Sequence, residues 1–399
     1  MIEKAMLELI YEAASIQRWN DHVRPGSGFT ELDKQAHKIV FAYVIGKFEE
    51  ADRRTHINWK GLVEGGIFEF FHRVVLTDIK PAVFHRLMEE KGRQLNRWVL
   101  DKVEGTIRGI EGGFSGNFER YLFDPDYGLL EKRILRAAHY LATKWEFGII
   151  YRLNEGIYGL DETRTGITNE IEDHMDLAGV QKIEMGKKTR NFLDLVGQLR
   201  FQKRWAQSPR IPETSVMGHM LVVAILSYLC SLEIDACDQR IVNNFFAGLY
   251  HDLPEVLTRD IVSPVKKSIA GLEELIKEIE NRQVEERLFP LIPSAWRGEI
   301  RYFTEDEFSS KVILDDGVHI VSSADIGRMY NMDCYHPLDG ELIRACDHLA
   351  AFLEASLSIE YGIKTRHLED GRRSFSEAYR TKTVAGIDFG RLFGYYDRS

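Results

Sequence analysis

The chain has 399 residues, room for two to three domains at roughly 150 residues each. Its 44% hydrophobic and 29% charged residues exclude a disordered or collagen-like chain. The net charge of -10 repels a phosphate backbone, which argues against nucleic acid as a partner.

In chain order, the first eight residues carry acids where an export signal would be basic and then apolar. The cysteines, Cys230, Cys237, Cys334 and Cys346, include no Cys-x-x-Cys pair, which suits reduced thiols and a cytoplasmic setting. Prolines number only 10, and apolar residues recur three and four apart, as in Ile241, Phe245, Leu249 and in Ile320, Ala324, Met329. That spacing predicts an all-α fold, with loops at residues 105 to 116 and 156 to 168, where glycines gather. The most apolar stretch, residues 216 to 232, is broken by Gly218, His219, Ser227 and Ser231. It falls short of the ~20 apolar residues of a membrane span, so it reads as a buried helix, with no membrane partner.

Internal repetition is the most informative pattern. Arg18-Trp19 with Arg24 matches Arg204-Trp205 with Arg210, and His37 in its apolar context matches His219. Val75-Leu76-Thr77 matches Val256-Leu257-Thr258, Pro81 matches Pro264, and Ala138-His139 matches Ala324-Asp325. The order is kept and the offsets drift by only a few residues, so the chain reads as a tandem duplication of one helical domain. The copies are placed at residues 1 to 185 and 186 to 399.

In the second copy, His219 stands near the start of one apolar helix and His251-Asp252 at the end of another, while Asp325 sits on a third. A carboxylate on an apolar helix face is costly to bury without a cationic partner. Two imidazoles and two carboxylates around one divalent ion, of Mn, Fe, Co, Ni or Zn type, would supply it.

The ordered set His219, His251-Asp252, Asp325 resembles the HD-domain metal-dependent phosphohydrolases. The run from His251-Asp252-Leu253-Pro254-Glu255 to Pro264-Val265-Lys266, with Arg204-Trp205 upstream, resembles their bacterial 5'-deoxynucleotidase (YfbR-like) branch over residues 195 to 365. The resemblance implies a divalent metal, Mg included among the candidates, on His219, His251, Asp252 and Asp325. It implies that Glu255 and Asp260 position or deprotonate the attacking water, and that Arg204 and Trp205 line the nucleotide site. The chain departs from many relatives at Gly218, where they carry Glu, and at Arg259, where they carry Gly.

In the first copy, anchored on Val75-Leu76-Thr77, Phe70, Phe71 and Val74 match His251, Asp252 and Glu255; anchored instead on His72, Arg73 stands for Asp252, and either way His139 matches Asp325. Without those carboxylates this copy is expected to be inactive. A residual site of His37, His72 and His139 is the lesser alternative.

The sequence thus leads to an enzyme hydrolysing (deoxy)nucleoside 5'-monophosphates, with a small nucleotide as its partner. The alternatives are an HD hydrolase of triphosphate, cyclic or signalling nucleotides, and a nucleotide sensor without turnover. Because single-copy relatives are commonly homodimers, the two copies are expected to form an intrachain pseudo-dimer. Residues 366 to 399 give no chemical signal.

Overall fold

The computed structural model describes residues 1–19, 29–79, 81–259, 269 and 271–396. The chain divides into two compact units, Glu8–Asp194, and Leu195–Ser399 with Met1–Leu7. The break falls later than residue 185, inside helix Lys187–Gly197. Met1–Leu7 belongs to the second unit, where the terminal amine lies 2.6 Å from Glu233.

The described elements are helices and two short hairpins. After α1 (Lys4–Ser15), the first unit is built on α2 (Glu31–Arg53), α3 (Trp59–Leu76), α4 (Pro81–Ile107), α5 (Phe114–Phe123) and α6 (Leu129–Leu153). Thr30 caps α2 by accepting the Asp33 N–H at 3.2 Å. Glu31 and Asp33 fill its first turn, where acids suit the positive end of the helix. The helix is buried nearly all round, yet Glu31, Asp33, Lys34, Gln35 and Lys38 are among its buried residues. Burying that many polar groups demands partners inside the unit.

The second unit places α7 (Val216–Glu233) at its centre, packed on α8 (Asp238–Tyr250) and on α9 (Gly340–Glu360). Helix α7 is long and apolar enough to cross a membrane, and 94% of it is buried within the protein. Ser215 caps it, accepting the Gly218 N–H at 2.9 Å. Gly248 lets α8 close on α7, since a Cβ there would lie 3.0 Å from the Ala224 Cα. Helix α10 (Arg366–Tyr379) packs on α9, so the C-terminal segment has a structural role.

Both units enter their central helix in the same way. Gln17 pairs with Thr30 and Lys203 with Ser215 in isolated antiparallel bridges. The tryptophans that follow, Trp19 (φ 65) and Trp205 (φ 53), are both left-handed.

Two local expectations differ from the structure. Ile320, Ala324 and Met329 share no helix face, because Ile320 ends a hairpin of β1 (Lys311–Leu314) and β2 (Gly317–Ile320). Ile320 is 70% and Met329 52% exposed, so their spacing was not a buried stripe. The 156 to 168 loop is shorter than expected, since a helix spans Leu160–Glu172 with Asp161 and Glu162 in its first turn.

Candidate metal centre

Three donors converge in the second unit. His219 lies in the first turns of α7, fully buried, with its Nε2 2.9 Å from Asp347 Oδ1. His251 ends α8, and its Nδ1–H donates to the Gly248 carbonyl at 2.8 Å. That bond sets the tautomer and turns Nε2 toward the centre. One ligand atom each from His219, His251 and Asp347 lie within 4.8 Å of one another. Asp252 borders the same point, its Oδ2 3.1 Å from His251 Nε2.

The electrostatics are those of a cation socket. Burial lowers the His251 pKa, but Asp252 and Asp347 outweigh it and raise it to about 9. For Asp252 burial acts upward, and His251 with Arg204 brings it down to about 2. Asp347 is pushed up by burial and held well below the ordinary carboxylate range by His219 and His251. His219 Nδ1, His251 Nε2 and Asp252 Oδ2 are buried and make no hydrogen bond. Buried polar atoms without hydrogen bonds need an explanation, and a bound ion is one. Two imidazoles and two carboxylates suit a divalent transition ion, so these residues fit the metal.

Asp325 is not part of this cluster, which corrects the expected ligand set. It lies in a three-residue helical turn (Ser323–Asp325) and is held locally. Ser322 Oγ donates to its Oδ2 and Arg328 to its Oδ1, both at 2.6 Å. The stripe that suggested a buried face is a hairpin end and an exposed turn, so nothing carries Asp325 inward. Asp347 takes that place from α9. Its signal was available as a carboxylate among Ala345, Cys346, Leu349 and Ala350, with Glu354 two helical turns later.

The family model for the HD domain matches residues 196–375. Over these residues the chain is similar to an HD domain. A 5'-deoxynucleotidase of Pasteurella multocida is 25% identical over 204 residues, which cover 48% of this chain and 93% of that protein. The 5'-deoxynucleotidase YfbR of Shigella flexneri is 26% identical over 187 residues, 43% of this chain and 87% of its own. The 4'-phosphooxetanocin A phosphatase of Priestia megaterium is 32% identical over 110 residues, 26% of this chain and 54% of its own.

Around the donors of the HD domain stands a buried brace that the sequence reading missed. Glu354, fully buried on α9, accepts the Trp205 indole N–H at 2.9 Å and the Thr214 hydroxyl. Its carboxylate also lies 3.7 Å from His219 Nδ1 and 3.8 Å from Arg204 Nε. Burial raises the Glu354 pKa, but Arg210, His219 and Arg204 hold it well below the ordinary range. One carboxylate therefore ties a metal donor to both residues expected to meet the nucleotide.

Arg204 reaches Asp252 as well, Nη1 to Oδ2 at 3.7 Å. Trp205 is backed by α10, since a Cβ at Gly371 would press on its ring. Glu255 opens the short helix Glu255–Thr258 and is buried. Arg259 adopts φ 67, a conformation easier for glycine. Asp260 and Lys266 lie outside the described residues.

Proposed function

We propose that the HD domain is a divalent-metal-dependent phosphomonoesterase that converts (deoxy)nucleoside 5'-monophosphates to nucleoside and phosphate. The observation that carries this reading is the meeting of His219, His251, Asp252 and Asp347, with unbonded donor atoms, beside Arg204 and Trp205. When bound, the ion would draw charge from a phosphoryl oxygen. Arg204 presents a planar fork of donors to the remaining phosphate oxygens. Trp205, with its N–H tied to Glu354, offers a ring face to the base. Glu255, one turn past Asp252, accepts the proton of the attacking water, with Asp260 as the second candidate.

The two units are copies of one helical domain, a reading supported by their shared Arg-Trp entry, left-handed tryptophans and capped central helices. The register differs from the one that pairs His37 with His219. Four residues past the cap stand Lys34 in the first unit and His219 in the second. His37 lies one turn further on, its Nε2 3.0 Å from the Leu193 carbonyl. His72 meets Asn96, and His139 meets Lys34. Among the described residues, these three histidines form no metal-binding group.

The test is phosphate release from deoxy- and ribonucleotides, including mono-, tri- and cyclic phosphates, with Mn, Co or Mg added. Monophosphates should be preferred, and release from triphosphates or cyclic nucleotides alone would refute the substrate class. Glu255→Ala should keep its metal and lose about 10²-fold in turnover. Near-normal turnover would move the proton to Asp260.

A further inference from the structure

The first unit carries a second cluster of buried charges at the place corresponding to the metal centre, with the charge pattern inverted. Gly66 packs on Ile39, five residues past Lys34, as Gly248 packs on Ala224, five residues past His219. Three residues beyond each glycine stand Glu69 and His251. Seven residues before each buried brace, Glu146 and Glu354, stand His139 and Asp347. Lys34 thus replaces His219, Glu69 replaces His251, Phe70 replaces Asp252, Arg73 replaces Glu255, and His139 replaces Asp347.

Three carboxylates in this cluster are already satisfied. Arg18 donates to Glu31 at 2.8 Å and to Glu146 at 2.9 Å, and Trp19 Nε1 donates to Glu146 at 2.9 Å. Lys38 and Tyr121 donate to Glu69 at 2.9 and 2.7 Å. Two basic side chains remain. The Lys34 Nζ, fully buried, donates to His139 Nδ1, a neutral acceptor. Arg73, half-buried, lies over the Phe84 ring at 4.6 Å, and its charge helps hold the Glu31 pKa down. Burial, with the Arg18, Lys38 and Arg73 charges, holds the Lys34 pKa well below its ordinary value despite Glu31. Burial and the charges of Lys34 and Arg73 keep His139 neutral. Glu69, with 29% of its side chain exposed, and the half-buried Arg73 and His139 are members of the cluster that reach solvent.

An acid-rich socket in one unit calls for a cation, and a base-rich socket in the other calls for an anion. We propose that the N-terminal unit holds a small phosphate-bearing anion, without metal, at a site formed by Arg73, Lys34 and His139. Arg73 supplies the fork, and Lys34, at the place of His219, adds a donor whose protonation a bound anion would favour. This site is independent of the hydrolytic reading, because none of its residues belongs to the HD domain's centre.

The experiment is titration calorimetry of the full chain after EDTA treatment, with inorganic phosphate and with dAMP as separate probes. One site per chain should take up a probe, and the tighter of the two distinguishes free phosphate from a phosphate monoester. Arg73→Ala and Lys34→Met should weaken it about tenfold or more, the scale of a charge-assisted hydrogen bond. Arg86→Ala, at an exposed position of the same unit, should leave it unchanged. Arg73→Ala alters a half-buried side chain, so it remains a test if Lys34→Met fails to fold. No uptake of either probe, undiminished binding in Arg73→Ala, or loss in Arg86→Ala would overturn the proposal.

Discussion

At the scale of single residues, the ligand set turns on Asp347 against Asp325. Asp347 faces two imidazoles inside the domain, whereas Asp325 is spent on Ser322 and Arg328 at the surface. Asp347→Ala or His251→Ala should lose bound metal and activity together, while Asp325→Ala should keep both. Metal analysis of the purified variants checks this, and metal loss in Asp325→Ala would restore the earlier assignment. The two histidines and Asp252 were legible because a His-Asp pair within a sixteen-residue motif is specific. The third helix was not, since a carboxylate can follow an apolar run of the right spacing in a hairpin as well as in a helix.

The elements hold the site through buried polar junctions. Asp339 caps α9, accepting the Leu342 N–H at 3.2 Å, and also receives Arg240 from α8 at 2.6 Å and Ser323 at 2.8 Å. Arg240 and Asp339 are both buried, and Asn244 of α8 accepts the Asp339 N–H. Removing one partner of such a pair leaves a charge without compensation. Asp339→Ala should therefore cost about 3–5 kcal/mol in denaturant unfolding, and it should loosen metal binding by freeing the helix that carries Asp347. A loss below about 1 kcal/mol would show that α9 is held by its apolar contacts alone.

In the first unit, α3 and α4 meet through His72 and Asn96, 3.0 Å apart. Burial pulls the His72 pKa down to about 4, against the hydrogen bond that its Nε2–H donates to Asn96 Oδ1, which raises it. The folded value lies below the ordinary unfolded value of about 6.5, so the unfolded chain binds the proton first. The stability from neutral His72 is thus complete above about pH 6.5. It is lost as pH falls toward 4, by up to about 3 kcal/mol. Thermal unfolding of the full chain between pH 7 and 4.5 measures it, and His72→Gln should flatten the slope in that window. An unchanged slope would assign the acid sensitivity to the carboxylates.

For the molecule as a whole, the charge pattern of the two units sets the metal content. On the proposed correspondence of the two units, Lys34 and Arg73 stand at the places of a donor and of Glu255, so the reconstituted full chain should bind one divalent ion, not two. Two ions per chain by metal analysis would contradict the inverted charge of that unit. The class of fold, the HD motif and the repeated Arg-Trp entry were readable from the sequence because they are local. Helical spacing, a dipeptide in context and a short ordered motif each act over a few residues. The tertiary structure alone brought Asp347 to His219 and His251, set Glu354 behind them, and put the cap of α2 at Thr30, four residues before Lys34, as Ser215 stands four before His219. Those facts depend on which faces of distant helices meet, and a shift of one helical turn, invisible in composition, exchanges one residue for another at the same point in space.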